Sequence, residues 1–143
     1  MVEYGHVNLT EVDDQAPNLG LDPAQFNLRF GRVALGCEHC GVSYLRFAPG
    51  AKSHGHRHKR QEEIYVLVSG SAEMKVGDDV VQLQPFSAVR VPPHVMRGIK
   101  GGPDGAEVIA VGAPNTGPGD GDVPDPNWTW DDDGVSSSTA SPA

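Results

Sequence analysis

Three histidines alternate in His54-Gly55-His56-Arg57-His58, and Glu62-Glu63 follow close behind. In an extended segment alternate side chains share a face, so His56 and His58 point together. Glu63, arriving from the next strand after a short turn, enters the same space. Two imidazoles and a carboxylate suit a divalent transition metal and leave coordination positions open for a ligand. The same spacing also suits a histidine-rich surface loop that holds no metal. Spacing alone leaves both readings standing.

The other reactive residues carry less. Cys37 and Cys40 form a single CxxC with no second pair at zinc-finger spacing. A structural zinc needs four ligands and a redox pair needs a βαβ setting, so Cys37-Glu38-His39-Cys40 reads as a turn between two strands. Arg57, Lys59 and Arg60 are the densest basic cluster, but no aromatic or further basic residues extend them, and nucleic acid is not an expected partner. Asp131 to Asp133 lack calcium-loop spacing and read as a solubilising run. No phosphate-binding glycine loop, Ser-His-Asp set or activated cysteine appears.

The elements that must position the histidines are short strands. Of 143 residues, 18 are Gly and 12 are Pro, which disfavours a helical bundle and suits an all-β chain with many turns. Candidate strands are 30–35, 42–47, 62–68, 72–76, 79–83, 87–91, 95–99 and 106–111, with a hairpin turn at Val76 to Val80 and another connection at Gly101 to Gly105. Asp22-Pro23 reads as an N-cap and first helical position for one short turn through Leu28. Eight strands at such spacing point to a barrel or sandwich. In the 62–68 strand, Ile64, Val66 and Val68 alternate with Glu63, Tyr65 and Leu67. Both faces are apolar, so both need cover: the barrel interior on one side, and a second sheet, the N-terminal segment or a partner subunit on the other. A homodimer is therefore expected.

Charge divides the chain in the same places. The net charge of −8 comes from the flanks. Residues 1–28 hold five acids and no base, and residues 113–143 hold six Asp and no base, whereas 29–112 holds all 11 Lys and Arg against eight acids. The expected organisation is an N-terminal segment over 1–28, a barrel over 29–112, and a Gly/Pro/Asp/Ser-rich tail over 113–143 docked in part through Trp128 and Trp130. Such a tail buries too little to offset its ordering entropy. No apolar run approaches the roughly eighteen residues of a membrane span, and Met1 to Thr10 lacks the features of a secretory signal. A soluble, cytoplasmic protein is the expectation.

Gly50, five residues, His56-Arg57-His58, four residues, Glu63, six residues and Gly70 resembles the first cupin motif at every fixed position. The resemblance implies a short antiparallel β-barrel of the jelly-roll kind, often dimeric, with a metal held at its mouth by His56, His58 and Glu63. Iron, manganese, nickel or zinc would each suit such a site. A second motif should add a fourth ligand, another histidine. Here it is degraded: Pro92 stands at its proline position, but Phe86 and His94 replace glycines, Gly101 replaces asparagine, and Arg97 replaces the ligand histidine.

Arg97 changes the site's chemistry, because a guanidinium cannot give up its proton to become a ligand. It can pair bidentately with Glu63 and take the carboxylate a metal needs. It can instead grip an anionic substrate, a carboxylate or phosphate, beside a metal held by the other three. His94 is a candidate substitute ligand whose offset of three from Arg97 puts it in the turn, and His54 takes a mouth or supporting position; with Arg97 and Tyr65 these two histidines are the candidate substrate-binding residues. Tyr65 should line the interior below Glu63. Two functions remain: a metal-dependent enzyme acting on a small organic acid or polar metabolite, and a metal-free barrel binding a small anion.

Overall fold

The computed structural model describes residues 3–117 and 119–123. Its strands are β1 (Phe26–Phe30), β2 (Gly41–Phe47), β3 (Arg57–His58), β4 (Glu62–Val76), β5 (Asp79–Leu83), β6 (Ala88–Val91), β7 (Arg97–Ala113) and β8 (Gly121–Asp122). One helical turn, α1 (Arg32–Leu35), lies between β1 and β2. The main sheet runs β1-β2-β7-β4-β5, with β6 also on β4, and a small second sheet pairs β3 with β8. Every named pairing is antiparallel. The expected all-β antiparallel barrel is what the chain forms.

Two long strands organise it. The expected pairs 62–68 with 72–76, and 95–99 with 106–111, are continuous as β4 and β7. The glycines between them bend the strands without ending them: β4 shifts register against β7 between Leu67 and Ser69 and between Gly70 and Ala72. Gly70 has φ +80, and a Cβ there would lie 2.0 Å from the Gly105 carbonyl oxygen. Only glycine fits that close crossing. At the other end of the motif, Gly50 also has a left-handed φ of +73.

Two expectations fail locally. The 30–35 strand is instead the end of β1 followed by α1, which Gly36 stops at φ +70 by donating to the Arg32 and Val33 carbonyls. The short helix through Leu28 is a single turn: Asp22 does cap it, its Oδ1 accepting from Ala24 N, but β1 takes over at Phe26. The Val76–Val80 hairpin forms as expected, with a two-residue loop between paired Val76 and Asp79.

The core holds Phe26, Phe47, Tyr65, Leu67, Met74, Leu83, Val91, Ile99 and Val108, with the Phe26 and Phe47 rings edge-to-face at 5.8 Å. Tyr65 and Leu67 point inward as their alternation requires. On the opposite face Ile64 and Val68 remain 40% and 42% exposed. Neither the N-terminal segment nor a second sheet covers them among the described residues. Trp128 and Trp130 lie outside the described residues. No helix among those residues is long and apolar enough to cross a membrane.

Candidate metal centre

The segment 51–56 runs antiparallel along the first residues of β7. Ser53 N donates to Ile99 O at 3.0 Å, and His56 and Arg97 exchange two backbone hydrogen bonds. This pairing sets His56 directly opposite Arg97. Two residues on, His58 lies in β3, and Glu63 enters from β4, where it pairs with Val91 and Gly112.

Four side chains converge on one oxygen, Glu63 Oε1. His58 Nε2 is 3.0 Å away, His56 Nε2 3.5 Å and Arg97 Nε 3.7 Å. The Tyr65 hydroxyl, from below, donates to the same oxygen. The two imidazoles meet edge-to-face, with ring centroids 5.0 Å apart. Among the described residues, His56, His58 and Glu63 are the one group of three or more His, Cys, Asp or Glu whose donor atoms lie close enough to share an ion. Burial pushes the Glu63 carboxyl up, but the imidazoles of His56 and His58 more than offset this and hold it well below the usual carboxylate range. Burial and the Glu63 charge push the Tyr65 hydroxyl well up, so it stays protonated and able to donate.

His58 supplies the test of whether these residues suit a metal. Its Nδ1 lies 3.1 Å from Asp120 Oδ2. Asp120 is ionised and accepts only, because the backbone amides of Gln61 and Arg60 outweigh the upward push of burial and hold its pKa low. Nδ1 of His58 therefore faces an acceptor, and its Nε2 faces Glu63. That nitrogen is buried and makes no hydrogen bond, although the carboxylate lies 3.0 Å away. An imidazole nitrogen and a carboxylate so placed share one positive centre between them, a proton or a metal ion. An ion about 2 Å from each donor would leave them spaced by roughly the 3.0 and 3.5 Å observed. The residues fit a metal.

Arg97 is fully buried, and its terminal nitrogens are spent on the backbone. One donates to the Pro93 and Val95 carbonyls at 3.2 and 2.9 Å, and the other to Pro92 and Val91 at 3.3 and 3.5 Å. It stitches the turn between β6 and β7. The bidentate pairing with Glu63 that the guanidinium permits does not form, because those two nitrogens are engaged elsewhere. Only Nε faces the site, and it is buried with no hydrogen-bond partner.

His54 and His94 are both exposed, His94 in the turn between β6 and β7. The structure does not bring them into the His56–His58–Glu63 group. The residue missed by sequence reasoning is Asp120, which is only 8% exposed and reaches His58 across 62 positions of chain. Composition alone assigns its segment to the tail. The only sequence signal is an aspartate between glycines, Gly119-Asp120-Gly121, which is weak.

A cupin domain family model matches residues 43–111, from within β2 through most of β7 and including all three of these candidate ligands. The chain carries a small cupin domain. Similar solved structures include KdgF from a Halomonas species, at 22% identity and a TM-score of 0.64, covering 79% of this chain and 94% of that one. A cupin protein from Bacteroides fragilis superposes with a TM-score of 0.64 at 19% identity, over 81% of this chain and 88% of that one. A sugar phosphate isomerase of the cupin superfamily from Silicibacter pomeroyi gives 0.63 at 18% identity, over 76% and 74%. At these identities the likeness establishes the cupin fold. A comparison with curated proteins returned no match.

Within the cupin domain, the departures from the second motif have local causes. Phe86 keeps a left-handed backbone, φ +73, at a glycine position. Gly101 sits where asparagine is expected, and a Cβ there would come 2.5 Å from the Ala48 carbonyl oxygen.

Proposed function

We propose that this cupin binds a divalent transition metal (iron, manganese, nickel or zinc) through His56, His58 and Glu63, together with a small polar or anionic molecule. The observation that carries this is the buried, unpartnered Nε2 of His58 facing the ionised Glu63 at 3.0 Å. When bound, the metal would supply Lewis-acid or redox chemistry to a ligand at its open positions. Around it, Tyr65 orients Glu63, and Arg97 presents one unpaired Nε–H toward the same space. That donor suits a carboxylate or phosphate oxygen. The site thus supports a metal-dependent enzyme on a small organic acid or phosphorylated metabolite. A sugar phosphate, the class named for the Silicibacter protein, is a first probe.

A second reading is a metal-free barrel in which Arg97 neutralises Glu63 directly. The 3.7 Å approach of Arg97 Nε to Glu63 Oε1 favours it. Metal analysis of untagged protein separates the two. Stoichiometric metal that disappears in His56→Ala supports the first, and a metal-free protein whose thermal midpoint ignores chelator and added metal supports the second.

We propose a homodimer that covers the exposed Ile64 and Val68 face, which also carries half-exposed Val111 beside Ile64. Free Cys37 and Cys40 suit a reducing, cytoplasmic setting.

A further inference from the structure

We propose that Asp120 is the positioning residue of the metal centre, locking the His58 ring and its tautomer so that Nε2 offers its lone pair to an ion. The inference rests on the metal reading above. Asp120 is itself rigidly held: Oδ1 accepts from Arg60 N and Oδ2 from Gln61 N, both at 3.1 Å, and its carbonyl accepts from Lys59 N at 3.1 Å. The carboxylate therefore has no freedom to turn away from His58 Nδ1. A carboxylate behind a ligating imidazole fixes which nitrogen is free and raises its basicity.

The surrounding segment is built to hold that contact. β8 pairs with β3, setting Gly121 opposite His58 and Asp122 opposite Arg57. Asp122 Oδ2 lies 3.6 Å from Arg57 Nε, a second link between the two strands. A Cβ on Gly121 would lie 3.6 Å from His58 Cε1, so this backbone packs close against the imidazole. Residues 119–122 thus form a strap behind the ligand strand, and the buried Asp120 carboxylate points at the ligand.

A residue that merely tied the 59–61 turn would move stability but leave the imidazole's proton alone, and the test turns on that difference. Long-range nitrogen–proton NMR of the full chain without metal should show His58 protonated on Nδ1. In Asp120→Asn, His58 should shift toward the other tautomer or a mixture. Manganese(II) titration followed by EPR should show affinity falling about ten- to a hundredfold. A wild-type His58 protonated on Nε2 overturns the inference. So does a folded Asp120→Asn with unchanged tautomer and manganese affinity within threefold of wild type. Should the variant fail to fold, the wild-type tautomer decides alone. Wild-type protein that binds no metal under these conditions overturns the metal reading instead, a result separate from the tautomer.

Discussion

Arg97 and His56 face each other as an antiparallel pair, His56 N donating to Arg97 O at 3.1 Å and Arg97 N to His56 O at 2.9 Å. The backbone therefore delivers residue 97 to the metal centre whatever its side chain. Arg97→His should place an imidazole beside His56, His58 and Glu63 and add a fourth ligand. Metal affinity is expected to rise at least about tenfold, the scale of one well-placed group at such a site. Equilibrium titration with zinc against a competing chelator checks it. Unchanged affinity would show that the guanidinium is no obstacle.

The same substitution should lower stability, because the terminal nitrogens of Arg97 satisfy carbonyls of Val91, Pro92, Pro93 and Val95. Stranded buried acceptors cost about 1–3 kcal/mol each where water cannot replace the donor. Arg97→Met is expected to lose about 3 kcal/mol or more by urea unfolding. Arg97→Lys should recover little of it, since one ammonium cannot span four carbonyls that a planar fork reaches. A lysine variant as stable as wild type would overturn this account of the turn.

These contacts mark where sequence reading stops. Gly50, His56, His58, Glu63 and Gly70 were legible because each is fixed by local geometry: left-handed φ at the glycines, alternation at the histidines. Arg97 was legible as a cation near Glu63, but the fate of its donors depends on where the Pro92–Val95 carbonyls point, and no side-chain pattern encodes that. Asp120 was hidden for a different reason. It acts across 62 residues from a Gly- and Pro-rich stretch whose composition argues against packing. The split of β4 and β7 into four strands misread glycines that bend a strand as glycines that end one.

Tyr44 and Glu107 give the fold a pH dependence away from the metal centre. The Tyr44 hydroxyl donates to Glu107 Oε2 at 2.5 Å, and Ser69 Oγ donates to Oε1 at 2.6 Å. The bonds from Ser69 and Tyr44 hold the Glu107 carboxyl below its ordinary 4.5, so its contribution is present above that pH and lost as pH falls through the lowered value. Burial, then the bond to Glu107, pushes Tyr44 from 10 to about 12, so its contribution is present below pH 10 and lost as pH rises toward 12. Thermal midpoints measured across pH should therefore fall at both ends. Glu107→Gln should flatten the acid limb and Tyr44→Phe the alkaline one. A variant that lowers the midpoint equally at every pH would place its effect in packing.

Phe86 offers the cleanest gain in stability. It holds φ +73 at the tip of the turn between β5 and β6, and the residue is 79% exposed. The turn is fixed by Phe86 N donating to Leu67 O at 2.7 Å and Ser87 N to Gln84 O at 2.8 Å, so the backbone cannot relax to suit the side chain. A bulky residue in the left-handed region costs about 1–3 kcal/mol, and an exposed ring recovers little of that through packing. Glycine gives back part of the gain as unfolded-state entropy. Phe86→Gly is expected to stabilise by about 1 kcal/mol, or roughly 4 °C in thermal midpoint for a chain of this size. The dimer proposed above gives the opposite sign if Phe86 packs against a partner: the variant would then lose stability, and the loss would shrink on dilution.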